Sequence, residues 1–338
     1  MSDPKEPTWD DLEAWGAEAA RWGSEYHRTL RDRPVRAQVK PGEIAAQLPK
    51  APPETPEAME DIFRDVDEII LPGITHWQHP RFFAYFATNA SAPSVVADYM
   101  IANLAVNGLI WQTSPAATEL ETRVVDWVRQ ALDLPPDFHG VIQGSASEAT
   151  LAAVLTMRER TLDWDGNRSG LPGQKPLRIY TTAEVHTSID RAIWVAGIGQ
   201  ENLIRIPTTG PLKSMDTKAL EAAIEADRAA GMLPAGIISC VGGTSVGACD
   251  KIEDVAAVAR RQNLYLHVDA AWAGNAMICP EYRPLWAGTE KADSVVFNPY
   301  KWIGGQFGGS VHFVRSPEEL TKTLAIKQIG RASCRERV

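Results

Sequence analysis

Lys301 stands in "SVVFNPYKWIGG", just after an apolar run and just before glycines, with Tyr300 and Trp302 beside it. A cation there is either a snorkelling side chain at a strand end or a group held in a pocket for chemistry. Asp269 ends another apolar run, "LYLHVDA", where a buried carboxylate is costly unless a cation or strong donor meets it. His186 follows "LRIYTT" and Thr244 follows "AGIISCVGG". "GVIQG" leads into "SASEATLAAVLTMRER", so Ser145, Ala146 and Ser147 open a helix whose free N–H groups favour an anion such as phosphate. Each feature alone has a plain structural reading: a capped helix, a core histidine, a turn threonine. Together they put a phosphate cradle, a histidine, an aspartate and a lysine at the ends of successive apolar runs. That set suits pyridoxal phosphate, with Asp269 keeping the pyridine nitrogen protonated and Lys301 forming the Schiff base. Burial beside a cationic ring helps keep Lys301 partly neutral and nucleophilic.

Such a set needs a sheet to carry it. "GVIQG", "LRIYTT", "AGIISCVGG", "LYLHVDA" and "SVVFNP" read as buried strands, separated by helices such as 216–230 and 252–262. Asp216 is the expected N-cap and Gly231 the expected stop of the first of these. The alternation predicts an α/β fold, a mostly parallel sheet with helices on both faces, whose ligands sit beyond the carboxyl ends of the strands. Ser114-Pro115 starts a further helix with Leu120, Val124, Trp127, Val128 and Ala131 on one face. Before the sheet, "TWDDLEAWGAEAARWGSEYHRTL" reads as an amphipathic helix capped by Thr8 and Asp11, and "PEAMEDIFRDVDEII" as a second helix stopped by "LPG". Residues 1–85 are expected to form a helical arm that packs on a second subunit, with packing on its own chain as the alternative, and 86–314 the large cofactor-binding domain.

The 338 residues carry a net charge of −9, which argues against a nucleic-acid or anionic-membrane surface. The polar, acidic start predicts no signal peptide, and the run 95–111 is broken by Asp98, Asn103 and Asn107, so no membrane span is expected. Cysteines 240, 249, 279 and 334 have no paired spacing, which points to reduced thiols in a cytoplasm and to no metal site.

The blocks "RPVRAQVKPGE", "PGITHWQHPRFFAYF", "SPAATELE", "GVIQGSASEAT", "HVDAAWAG" and "FNPYKW" resemble the group II pyridoxal-phosphate-dependent amino-acid decarboxylases, specifically the aromatic-L-amino-acid decarboxylase family. The resemblance runs from about residue 10 to 327. It implies fold type I architecture, a homodimer with the site at its interface, and decarboxylation of an L-amino acid, aromatic by preference, to the amine and CO2. It also implies that Lys301 is the Schiff-base lysine, that Asp269 pairs with the pyridinium nitrogen, and that Ala271 packs on the ring with His186 over its other face. Ala146, Ser147, Ser294 and Asn298 would belong to the phosphate and cofactor-holding set, with Thr244 nearby. Trp77, Tyr85, Phe86 and Thr88 match positions that shape the substrate pocket, where an aromatic wall favours an aromatic side chain. His186 favours simple decarboxylation over the oxygen-dependent aldehyde-forming variants, which often replace it.

The alternatives are an aldehyde synthase or another fold type I enzyme such as an aminotransferase, and a cofactor-free binding homologue. The chain departs from the family pattern at Tyr300, where His is usual, at Gly308-Gly309, where Asp-Cys is common, and at Ala87, where Pro is usual. Residues 315–328 are expected to begin a mobile loop and a C-terminal domain that the sequence lacks, leaving the chain as given poorly soluble and inactive. "IGRASCRERV", residues 329–338, back-translates to a common sequencing-adapter read and is expected to be an assembly artefact.

Overall fold

In a computed structural model the chain is described over residues 8–108 and 110–325. The expectation for 329–338 therefore lies outside the described residues. Two compact units meet at the Thr88–Asn89 bond.

The first unit holds α1 (Leu12–Thr29) and α2 (Met59–Asp65). Thr8 N and Oγ1 both donate to the Asp11 carboxylate, at 2.8 and 2.9 Å, which is the cap read from the sequence. None of the α1 residues is fully buried, although Trp22 stacks on Tyr26 at 5.7 Å and the Tyr26 hydroxyl meets His76 Nδ1 at 2.9 Å.

The second unit opens with α3 (Ala92–Leu104), α4 (Pro115–Ala131), β1 (His139–Gln143) and α5 (Ala146–Thr161). After α6 (Gly166–Ser169) come β2 (Leu177–Thr181), α7 (Ser188–Val195), β3 (Leu203–Arg205), β4 (Thr208–Thr209) and β5 (Ser214–Met215). Then follow α8 (Thr217–Ala229), β6 (Leu233–Cys240), α9 (Ile252–Gln262), β7 (Tyr265–Asp269) and β8 (Ser294–Phe297). The described chain ends with α10 (Pro299–Trp302), β9 (Ser310–Val314) and α11 (Pro317–Leu324).

Seven strands form one sheet in the order β1-β9-β8-β7-β6-β2-β3. The pairings from β8 through β3 are parallel, and β9 pairs antiparallel with both β8 and β1. Two antiparallel steps restore the direction, so β1 runs the same way as β8. The carboxyl ends of β1, β8, β7, β6 and β2 therefore share one edge.

Alternation splits each strand between two cores. Leu266, Val268, Val295, Phe297 and Phe313 face α4, α8 and α9, while Ile179, Ile238 and Tyr265 face α5 and α7. On α4, Ser114 accepts from Ala117 N at 3.4 Å as the expected cap, but the helix buries Val125 and leaves Leu120 and Trp127 exposed. The α5 face of the sheet is unusual. His267, Ser294, Ser310 and His312 lie on it, all fully buried, beneath the small residues Ala149 and Ala153 of α5.

Candidate active site

Asp269 ends β7 with its Oδ1 accepting from Ala271 N at 3.0 Å, a turn that fixes the carboxylate at the sheet edge. Ala271 is buried and packs with Ala149, Val296 and Ala146, so a small-residue floor lies between Asp269 and the start of α5.

Lys301 sits on α10, one turn beyond β8, the strand next to β7. Burial lowers its pKa, while the Asp269 charge pulls it back up. The two effects together give an amine held beside its counter-charge yet closer to its neutral form than a surface lysine.

His186 lies in the crossing from β2 to α7. Desolvation lowers its pKa; Asp269 opposes this and Lys301 and Arg191 reinforce it. Its Nδ1 accepts from Ser188 N at 3.1 Å, so in the neutral ring the proton sits on Nε2. The fields of Lys301 and Asp269 both reach the imidazole, so the structure brings the lysine, the aspartate and the histidine together.

At the same edge Ser145 caps α5, its hydroxyl accepting from Glu148 N at 3.3 Å. Glu148 folds back past the cap to accept from Gly144 N at 2.9 Å, tying the end of the loop after β1 to the first turn of α5. Ala146 and Ser147 form the first turn of α5, both half-buried. Thr244 lies on an exposed turn beyond β6, closed by Gly247 N donating to Gly243 O at 2.8 Å.

Asn298 is fully buried just before Lys301. Its Oδ1 accepts from Ser310 Oγ at 2.6 Å and its Nδ2 donates to the Tyr300 hydroxyl at 3.0 Å. Asn275 Nδ2 donates to its carbonyl at 3.0 Å. Asn275 and Ser310 were not legible as site residues, because each acts only through Asn298.

Ser294 is placed differently from the phosphate-holding position expected of it. It begins β8, at the opposite end of the strand from Lys301, and its hydroxyl meets His267 Nδ1 at 2.7 Å. In the first unit Trp77 gathers the aromatic candidates: its ring lies 5.4 Å from Tyr85 and 5.1 Å from Phe86. Tyr85 is held at a φ of 55°, a left-handed backbone rarely adopted by a bulky residue. Thr88 is half-buried at the end of that unit.

With this geometry in view, residues 41–329 match the family model described as the pyridoxal-dependent decarboxylase conserved domain. The chain is 40% identical over 321 residues to aromatic-L-amino-acid decarboxylase of Rattus norvegicus, a match covering 91% of this chain and 66% of the relative. It is 37% identical over 324 residues to phenylacetaldehyde synthase of Arabidopsis thaliana, covering 94% of this chain and 65% of the relative. Among solved structures, Catharanthus roseus tryptophan decarboxylase in complex with L-tryptophan superposes with a TM-score of 0.90 at 31% identity, over 96% of this chain and 70% of that one. Oryza sativa TDC with PLP and tryptamine gives 0.93 at 33% identity, over 99% and 71%.

The chain belongs to the pyridoxal-dependent decarboxylase family, and its sheet has the fold type I architecture. It spans about two thirds of the length of the curated relatives it matches. Its cofactor is pyridoxal phosphate, and the residues present fit that group. A carboxylate for a ring nitrogen, a desolvated amine for an aldehyde and a helix N-terminus for a phosphate occupy one sheet edge. No helix among the described residues is long and apolar enough to cross a membrane.

Proposed function

We propose that the protein decarboxylates an aromatic L-amino acid to the corresponding amine and CO2. The observation that carries this reading is the placement of Lys301, Asp269 and His186 just beyond or at the carboxyl ends of β8, β7 and β2 on one edge of the sheet. Pyridoxal phosphate, when bound, supplies an aldehyde that condenses with amines and a protonated ring that accepts the electron pair freed at a substrate Cα. The protein's own contribution is placement and proton control. Asp269, oriented by Ala271 N, would hold the proton on the ring nitrogen. Lys301, with its pKa lowered by burial, presents a neutral amine more often than an exposed lysine would. His186, its pKa lowered by burial and its Nδ1 accepting from Ser188 N, would keep its proton on Nε2 for use in the site. Ala146 and Ser147 at the first turn of α5 would hold the phosphate, with Asn298 fixing the Lys301 turn and Thr244 at the rim.

Trp77, Tyr85, Phe86 and Thr88 would shape the substrate pocket, a reading supported by the cluster in which Trp77 stacks on Tyr85 and meets Phe86 edge-on. A homodimer is supported by the unpartnered apolar surface of α3, where Val95, Val96, Tyr99, Met100, Ile101 and Leu104 are all exposed. A cytoplasmic setting is supported by Cys240, Cys249 and Cys279, all free thiols.

An aldehyde synthase is the second reading, favoured by the likeness to the Arabidopsis phenylacetaldehyde synthase. A panel of tryptophan, tyrosine, phenylalanine and dihydroxyphenylalanine, followed for amine, aldehyde and peroxide with and without oxygen, separates the two. Amine formed in equal yield without oxygen supports the decarboxylase; aldehyde formed only with oxygen overturns it.

A further inference from the structure

Lys301 rides on a turn of only four residues, too short to hold its own geometry. The turn is fixed instead by Asn298, which joins three places at once. Its amide oxygen takes the Ser310 hydroxyl from β9, its carbonyl takes Asn275 from the segment after β7, and its amide nitrogen donates to the Tyr300 hydroxyl. Lys301 N closes on the same Asn298 carbonyl at 3.3 Å. The side-chain bridge from 298 to 300 therefore spans the backbone leading directly into Lys301. Tyr300 is itself buried, with its ring 4.9 Å from that of Phe307. Removing its hydroxyl would leave a buried amide donor of Asn298 without its acceptor, and such a loss drives local rearrangement.

We propose that Tyr300 is a positioning residue for Lys301: its hydroxyl, held by Asn298, sets the turn from which Nζ reaches the cofactor's carbonyl carbon. The proposal rests on the reading of Lys301 as the cofactor-holding lysine. Capture joins Nζ to the aldehyde carbon as a C=N bond, and the aldehyde oxygen leaves as water. A phosphate-contacting role for residue 300 makes a different prediction, because phosphate binding does not depend on where Nζ points.

Tyr300→Phe keeps the ring and its packing and removes only the hydroxyl. Two binding measurements on the purified protein separate the roles. One follows the near-visible absorbance that appears as Lys301 captures pyridoxal phosphate, together with its pH midpoint. The other measures affinity for pyridoxine 5'-phosphate, which has the same ring and phosphate but an alcohol in place of the aldehyde. Capture is expected to slow about tenfold in Tyr300→Phe and the pH midpoint to move, with affinity for the alcohol analogue within about twofold of the unaltered protein. Tyr300→His, which returns an acceptor for Asn298, is expected to recover most of the capture rate. Equal losses for both ligands would assign the hydroxyl to the phosphate, and no change in either would leave it without a role; both results overturn the proposal. If the unaltered protein shows no absorbance band and no borohydride-trapped adduct at Lys301, the cofactor reading itself fails and this one falls with it.

Discussion

His267 Nδ1 lies 2.7 Å from the Ser294 hydroxyl oxygen, and neither residue reaches solvent. The two are opposite one another on β7 and β8, one pleat pair below Asp269 on the face covered by α5. The ring of His312 on β9 stands edge-on to that of His267 at 5.9 Å. The catalytic edge thus rests on a polar floor that must stay uncharged. Burial pushes His267 down to about 3 and His312 down to about 4, from an ordinary value of 6.5.

That floor makes the fold acid-labile. Below about pH 6.5 the unfolded chain binds protons at both histidines and the native state does not, so stability rises with pH and falls as pH drops toward the two native values. Between about pH 6.5 and about pH 5 the loss is up to about 2 kcal/mol for each histidine. Urea unfolding of the cofactor-free protein at a series of pH values reads this slope, and His312→Leu should roughly halve it. An unaltered slope in that variant would show that the buried histidine does not remain neutral.

The order of strands and helices was legible because apolar runs and caps such as Asp216, which accepts from Lys218 N at 2.9 Å, are local signals. The chemistry-bearing ends of β7 and β8 were legible for the same reason. β9 was not: His312 interrupts its apolar pattern, and Gly308 and Gly309 read as loop. Ser294 shows why proximity in sequence misleads in a strand. Seven positions before Lys301, it lies below the edge by the length of β8, which at about 3.3 Å per residue puts it out of reach of the site. Asn298, read as part of the phosphate and cofactor-holding set, lies at the start of the turn that carries Lys301, and its partners Ser310 and Asn275 come from other elements and leave no local trace.

Gly242 follows β6 with a φ of 87°, and a Cβ there would drive into Ala273 Cβ and Trp272 Cε3. Those residues belong to the segment that leaves Asp269. Gly242→Ala should therefore destabilise by about 2 kcal/mol or more and weaken pyridoxal phosphate binding through displacement of 269–273. Gly247→Ala is the comparison. It shares a positive φ of 67° but has open space around it, so its cost should be the smaller backbone term alone, about 1 kcal/mol. Equal melting temperatures for the two variants would contradict the steric account.

Asp269 raises the pKa of Lys301 against the lowering by burial. Asp269→Asn should then let the lysine pKa fall further, so that more of the amine is neutral near pH 7 in the cofactor-free protein. Labelling of Lys301 by an amine-directed reagent, read by peptide mass mapping, should become faster and its pH midpoint should move down. On the role proposed for Asp269, turnover of the full-length protein should nonetheless fall by about 10²- to 10³-fold, since the ring nitrogen would lose the fixed charge proposed to keep it protonated. Slower labelling would mean that the two side chains do not share a field.

Asp250 returns the loop that carries Thr244 to the end of β6. It is buried and accepts from Met215 N at 2.7 Å and from Ser239 Oγ and Cys240 N at 2.9 Å each. Desolvation raises its pKa even against those three donors. Its sign is opposite to that of the histidines: the native state holds this proton more tightly than the unfolded chain, so this group alone favours folding as pH falls. Asp250→Ala would strand two buried backbone N–H groups and should cost about 3 kcal/mol at neutral pH. As pH falls from neutral the difference between parent and variant should grow, because proton uptake by the native carboxyl adds stability to the parent that the variant lacks. Urea midpoints of both proteins at neutral and mildly acidic pH test this directly, and a difference that shrinks on acidification would show that Asp250 is instead held ionised by its donors.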